Sequence, residues 1–400
     1  MAEDKHKDDG ECVDNSVRGQ LLDSLEVVDD PRSSRGKRYP IIEVISIVVF
    51  GCMCGCDNAE ALEDWARKEE EWLAGFLEMD HGTPSQDVFL RVLAAIKPEQ
   101  FRQAFLDWVQ VVFEPLGLET QIAVDGQTHC NSSDRGCSKS PVHMVHAMAC
   151  DTGLVLGQVP TEEKSNEIKA IPVLLELLDI EGALVSIDAM GTQRHIANLI
   201  RSKKGDYLLG LKGNQSTLYE ETIELFEEAL DERQRSVDEP EPPEVKEATD
   251  VDAGHGRIET RTAYVIKDFE QWVPSSSKWH GIESLIAVEA KREDPISEEI
   301  QVERRYYISS RKLKPEEANE AVRSHWLVEN QLHWVLDVSF GQDASRVRTE
   351  HAAENLGVVR HFALNLIRNY DGDNYSMPRR RRLCDYDTEY RELLLADTIS

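Results

Sequence analysis

The chain has 400 residues, with 75 Asp and Glu against 45 Lys and Arg, a formal charge of −30. At about 150 residues per domain, that length fits two or three domains, and 40% hydrophobic residues suffice for packed cores. So acidic a balance excludes a protein that coats nucleic acid by overall positive charge, while leaving room for a local basic track.

The best apolar run, 44–56, is 13 residues long, short of the roughly 20 that a membrane span needs. The first residues, MAEDKHKDDGECVDN, are acidic and lack the apolar stretch of an export signal. The eight cysteines show no paired framework and read as reduced thiols in a cytoplasm. Residues 1–16 read as a disordered tail. From 17 to 116 the spacing of apolar residues predicts a helical domain. Leu21, Leu22, Leu25 and Val28 share one face before the breaker Asp30-Pro31, and an apolar helix follows over 41–56. Further helices carry Leu62, Trp65 and Ala66, then Trp72, Leu73 and Phe76, then Val88 to Leu93, and last Phe101, Phe105 and Trp108.

The pattern changes after Gly117. Runs rich in β-formers at 121–125, 142–149 and 154–159 are followed by a helix over 167–178, a strand at 183–187, a helix over 192–202 and a strand at 207–211. This order predicts an α/β fold, a mixed sheet with helices on its faces. Thr217 to Glu220 forms a capping box that opens another helix. Residues 221–250 hold twelve Asp or Glu against three Lys or Arg and read as a solvated helix and loop. Short β runs at 261–266, 283–289 and 303–308 predict a β-rich insertion, and helices are expected over 315–337 and 352–368. Residues 304–382 reverse the balance, with fourteen Lys or Arg against ten Asp or Glu. Such a local cluster is what phosphate backbones bind.

Two aspartates stand out. Asp125 ends the apolar run Ile122-Ala123-Val124, and Asp188 ends Leu184-Val185-Ser186-Ile187. Each is a carboxylate delivered by a buried strand to a sheet edge, which is costly unless a cation or donors compensate it. Two of them in one sheet suit a metal-dependent phosphoryl-transfer site holding Mg²⁺ or Mn²⁺ through hard oxygen ligands. Taken singly, an Asp after a strand is usually a turn residue. Glu329, on the helix after Pro315, is the candidate third ligand. His325, Glu329 and His333 recur at i, i+4 and i+8, which also suggests zinc, although zinc motifs place two His on adjacent turns with a third ligand elsewhere. A pair of carboxylates working as acid and base on a sugar is a further alternative; no aromatic cluster lies near Asp125 or Asp188.

Ordered motifs run nearly end to end: Asp30-Pro31-Arg32, His81-Gly82-Thr83-Pro84-Ser85, Ala123-Val124-Asp125-Gly126, Glu163-Lys164-Ser165-Asn166-Glu167, Ser186-Ile187-Asp188-Ala189-Met190-Gly191, Leu211-Lys212-Gly213-Asn214-Gln215, His255-Gly256-Arg257, Arg323-Ser324-His325-Trp326 through Glu329-Asn330, and Asp343-Ala344-Ser345-Arg346. With them the chain resembles the H-repeat-associated insertion-sequence transposases, within the DDE group. The resemblance implies a ribonuclease-H-like catalytic domain at 117–215 and 305–370, with Asp125, Asp188 and Glu329 as the catalytic and metal-binding triad for two Mg²⁺ (or Mn²⁺) ions. It implies hydrolysis at transposon ends, then attack of the freed 3′-hydroxyl on target DNA. The acidic, β-rich segment 216–304 would be an insertion, 17–116 a domain for DNA-end binding or oligomerisation, and 371–400 a C-terminal tail. DNA contacts would come from Lys212, Asn214, Arg323, His325, Trp326, Asn330, His333, Arg346 and Arg348. The partners implied are terminal inverted repeats and target DNA, bound by a homo-oligomer at the nucleoid of a bacterial cytoplasm, with no membrane. One departure matters: basic residues that usually follow the first Asp are replaced in Asp125-Gly126-Gln127-Thr128-His129-Cys130. Gln342 stands where Glu is frequent. A catalytically decayed DNA-binding remnant, keeping Arg323, Arg346, Arg348 and the arginines at 379–382, is therefore the alternative.

Overall fold

A computed structural model describes residues 16–33, 37–112, 120–128, 143–161, 166–231, 241–254, 257–293 and 300–396. The tail expected at 1–16 lies almost wholly outside them, as do the motif residues 163–165, 255 and 256. The chain divides into two compact units, Met1–Glu114 with Thr349–Ser400, and Pro115–Arg348. The first begins with α1 (Val17–Leu25), α2 (Ile41–Met53), α3 (Ala59–Lys68), α4 (Glu70–Leu73), α5 (Gln86–Ala95) and α6 (Pro98–Val112). Helix α1 is capped by Ser16 and α3 by Asn58, each side chain accepting the backbone N–H three residues on. Almost every residue of α2 is buried, as expected of a helix apolar all round. In the link before α2, Arg32 grips Asp30 with two hydrogen bonds (2.8 and 2.9 Å) and donates to the Tyr39 carbonyl.

The second unit is built on nine strands: β1 (Gln121–Thr128), β2 (His143–Ala149), β3 (Val155–Thr161), β4 (Leu184–Ile187), β5 (Asp206–Leu211), β6 (Val245–Gly254), β7 (Arg257–Ile266), β8 (Ser284–Glu293) and β9 (Ile300–Ser309). They form one sheet in the order β3-β2-β1-β4-β5-β9-β8-β7-β6. Pairs β1–β4 and β4–β5 are parallel and all others antiparallel, so the mixed α/β sheet expected from the strand and helix order is present. Helix α7 (Glu167–Leu177) packs on β2 and β3, α8 (Arg194–Ser202) on β5, and α9 (Ser216–Ala229) near β9. Helix α10 (Pro315–His325) crosses β1, β4 and β6 to β8. Its Ala318, Ala321 and Val322 share a core with Ala263, Val265, Ile286 and Tyr307.

Two expectations need correction here. The β-rich segment expected as an insertion runs on into the main sheet, because β9 pairs with β5. Its first strand, β6, lies in a stretch read as loop; sequence VKEATDVDAG has no clean apolar alternation, and pairing with β7 along its whole length organises it. The helix expected over 315–337 is α-helical only to His325 and then widens into π-helical turns at Val328–His333 and Val335–Ser339.

The chain then returns to the first unit with α11 (Ala352–Arg368), α12 (Met377–Tyr386) and α13 (Thr388–Leu395). Thus the segment 349–370 groups with the amino-terminal helices and not with the sheet, and most of 371–400 is helix instead of tail. Phe362 of α11 packs against Phe105, Trp108 and Phe101 at ring distances of 5.0, 5.1 and 5.8 Å. Asn355 caps α5 by donating to the carbonyls of Leu93 and Ile96. Arginines expected to face DNA are partly internal. Arg380 is buried on the carbonyls of Ile367 and Tyr370 and on Asp373, and Arg381 on the Cys52 carbonyl and Asp57. No helix among the described residues is long and apolar enough to cross a membrane.

Arg391 anchors this unit. It is fully buried, donates to Glu69 (2.8 Å) and the Cys384 carbonyl (2.7 Å), and lies over the Trp72 ring. Breaking one side of a buried ion pair leaves an uncompensated charge. Arg391→Ala should therefore lose about 3–5 kcal/mol of stability, read as a lower denaturant midpoint, whereas the exposed Lys204→Ala should leave that midpoint near the native value.

Candidate active site

The site is assembled by strand register. Strands β1 and β4 run parallel with Val124 opposite Ile187, so the next residues, Asp125 and Asp188, leave adjacent strands side by side, about 4.8 Å apart in backbone. Asp188 is held by its own turn: its Oδ1 accepts the N–H groups of Met190 (3.0 Å) and Gly191 (3.2 Å). The Asn214 amide donates to the Ala189 carbonyl (2.6 Å), and Gln215 donates to that of Thr192. Gly210 permits this packing, since a Cβ there would stand 3.1 Å from the Ala189 nitrogen.

Helix α10 and the π-helical turns cover the same sheet face. His325 is buried and its Nδ1 shares a hydrogen bond with Ser186 Oγ (3.1 Å). His333 is buried with Nδ1 3.7 Å from Asp125 Oδ2. Both imidazoles are pushed down to about 4 by burial, so they are neutral at pH 7 and His333 does not supply a cation to Asp125. Gln127, on the same face as Asp125, donates to Asp337 Oδ2 (2.9 Å) and ties β1 to the second π turn. On the other side of the strand, Glu167 at the start of α7 is buried, 2.6 Å from His143 Nε2.

Charge is concentrated here. Burial, then the negative charges of Asp188, Glu329 and Glu167, push the Asp125 carboxyl from its ordinary 3.8 to about 7, against the opposing Gly126 N–H. Asp188 is also raised, by burial and by Glu167, with Lys212 and its two backbone donors opposing. Glu329 is exposed and lines a cleft of about 610 Å³ with Arg305, Trp326 and Asn330. Among the described residues no three His, Cys, Asp or Glu side chains already converge on one ion-sized point. Asp125 and Asp188 themselves offer carboxylate oxygens in a part-buried place, the donor type that a hard divalent cation takes.

The other expected DNA contacts divide. Lys212 and Arg346 are exposed. Trp326 is half-buried under the Arg305 guanidinium, 4.7 Å from its ring centre, and exposed Asn330 donates to the Trp326 carbonyl. Arg323 is exposed and paired with Asp252 (2.9 Å) and Asp250 (3.5 Å), and Arg348 is half-buried. His325 and His333 are corrected: both lie beneath the surface, bonded or packed inside. Asn214 likewise uses its amide to hold the Asp188 turn. Gln127, read as a lost DNA contact, points inward and is 8% exposed.

Residues 117–366 match the family described as transposase DDE domain, and residues 22–109 match the one described as DDE_Tnp_1-associated. The candidate transposase YncI of Escherichia coli O157:H7 is 37% identical over 379 residues, covering 94% of each chain. Protein YbfL and the H repeat-associated candidate transposase YhhI, both of Escherichia coli K12, are each 31% identical over 385 residues, covering 94% of this chain and 98% of theirs.

A carboxyl whose folded value lies above its unfolded one stabilises least at high pH, and the penalty grows as pH rises from the unfolded towards the folded value. Asp125→Asn should accordingly raise the melting temperature of the metal-free protein at pH 8. The gain should shrink progressively towards pH 4, where the native carboxyl is already protonated; thermal melts across that range decide it.

Proposed function

The chain belongs to the DDE transposases, and we propose that it cuts DNA at the ends of its own element and joins the freed 3′-hydroxyl to target DNA. The observation that carries this reading is the pair Asp125 and Asp188, side by side at the ends of two parallel strands, with the Glu329 charge felt by the first. We read the sheet around them as ribonuclease-H-like, in keeping with the parallel β1, β4 and β5 flanked by antiparallel β2 and β3. Asp125, Asp188 and Glu329 would hold two Mg²⁺ or Mn²⁺ ions, which when bound activate the attacking oxygen and stabilise the leaving one in an in-line displacement.

The protein's part is placement. Asp125 and Asp188 approach from the sheet, while Glu329 must turn in from the neighbouring cleft. It sits on a π-helical turn, a wider and less regular geometry that recurs at functional sites. His325 on Ser186 and His333 against Asp125 pin that turn to the sheet at both ends. Lys212 and Trp326 line the cleft at Asp188 and Asn330 that at Glu329; with the exposed Arg346 they would meet phosphates and bases. Arg323 would exchange Asp250 and Asp252 for phosphate. The helical unit is assigned to recognition of element ends or to association of copies on DNA. Gln127 is turned inward onto Asp337, which weakens one part of the argument for a decayed remnant; residues 129 and 130, where the second basic residue is missing, lie outside the described residues.

The test uses full-length protein and DNA bearing the inverted repeats that flank its gene. Nicking should require Mg²⁺ or Mn²⁺, and Asp188→Asn should reduce it on the order of 10³-fold or more without abolishing a gel shift. Equal cleavage by the variant overturns the reading, and binding without cleavage in Mn²⁺ by the native protein identifies a remnant.

A further inference from the structure

The cleft lined by Glu329 runs out over β7, β8 and β9, strands that have no role above. Helix α10 covers their face only in part. Beneath it the face is apolar, with Ala263, Ile286, Val288 and Tyr307 packed against Ala321 and Val322. Side chains alternate along a strand, so the same face continues outward through Arg261 of β7, Ala290 and Arg292 of β8, and Arg305 of β9. Register sets Arg261 opposite Ala290 and Arg305 opposite Val288. There the apolar lining gives way to charge.

Four elements each send one arginine into this cleft: Arg261, Arg292, Arg305, and Arg323 from the last turn of α10. Ala290 lies among them with a single methyl group, which leaves the floor open. Each guanidinium is met by a carboxylate of its own unit. Arg261 and Arg292 share Glu259 Oε1 (3.1 and 3.4 Å), Arg305 takes Glu303 (2.8 Å) and Arg323 takes Asp252 (2.9 Å). All four arginines are half-buried or exposed, and ion pairs standing in water hold weakly. A guanidinium presents a planar fork of N–H donors that matches phosphate oxygens, so one carboxylate oxygen shared by two arginines leaves donors to spare. Cations spread over three strands, about 4.8 Å apart at each step, and a helix end suit a row of phosphates better than one small anion.

We propose that this cleft is a track for a DNA strand, in which phosphates displace Glu259 and Glu303 from Arg261, Arg292 and Arg305 and the strand is led towards Glu329. The inference rests on the reading of the protein as a DNA-cutting transposase and adds these three arginines to it. Glu259 and Glu303 then act as stand-ins for phosphate, keeping the arginines extended and ordered until DNA replaces them.

The test is binding of the full-length protein to a fluorescein-labelled duplex carrying the inverted repeats that flank its gene. Anisotropy is followed in EDTA across a salt series, so that no cleavage intervenes. Each cation that neutralises a phosphate adds about 0.9 to the slope of log affinity against log salt. The double variant Arg261→Ala/Arg292→Ala should therefore flatten that slope by about 2 and weaken binding on the order of 10-fold or more at low salt. Glu259→Gln, which removes the competitor and keeps both arginines, should instead tighten binding several-fold, a result that misfolding does not produce. Native affinity and slope in the folded double variant, or unchanged or weaker binding by Glu259→Gln, overturn the proposal. If the double variant keeps native DNA binding and loses that of labelled poly-glutamate, the cleft belongs to an acidic protein segment and the proposal falls as well. The two levels separate on the native chain: if it does not bind the duplex, the transposase reading itself fails, whereas native binding matched by the double variant removes only the cleft.

Discussion

Repulsion among carboxylates that the backbone does not allow to part organises this protein's sheet unit. Parallel pairing of β1 with β4 sets Asp125 beside Asp188, and α7 adds Glu167 from one face while the π turn adds Glu329 from the other. Asp125 and Asp188 cannot part without breaking a ladder or a turn, whereas the exposed Glu329 is held by no such tie. Their surroundings are shaped to hold the arrangement: backbone N–H groups on Asp188, the neutral imidazoles of His325 and His333 on the α10 face, and glycines at 126 and 210 where a Cβ would crowd its neighbours.

The π-helical turns follow from the same requirement. A regular α-helix from Pro315 would repeat every 3.6 residues and carry the stripe of His325, Glu329 and His333 gradually around its axis. Wider turns slow that drift, so that His325 reaches Ser186 and His333 reaches Asp125 while Glu329 remains between them. The helical unit handles its charges differently. Arg380, Arg381 and Arg391 bind carbonyls and carboxylates of their own unit, and they stabilise α11 to α13 instead of presenting a basic surface.

Local chemistry explains which features could be read early. Helices α2, α5 and α6 and the sheet core strands announce themselves through apolar periodicity. The two aspartates announce themselves as charges ending apolar runs. Strand β6 did not, since its residues alternate weakly and depend on β7 for partners. Within the run 379–382, Arg380 and Arg381 turn inward while Arg379 and Arg382 stay exposed, and a basic run looks the same in sequence whether solvent or a buried carbonyl lies opposite.

Composition and periodicity were enough to read an acidic α/β chain and to single out Asp125, Asp188 and Glu329 as candidate acids, and the ordered motifs carried the resemblance to the DDE transposases, because those properties reside in neighbouring residues. Which strands lie adjacent, which imidazoles become neutral, and that Glu167 comes to rest on Gly126 depend on groups tens of residues apart. Burial and register, which no window of sequence contains, arise when the sheet closes.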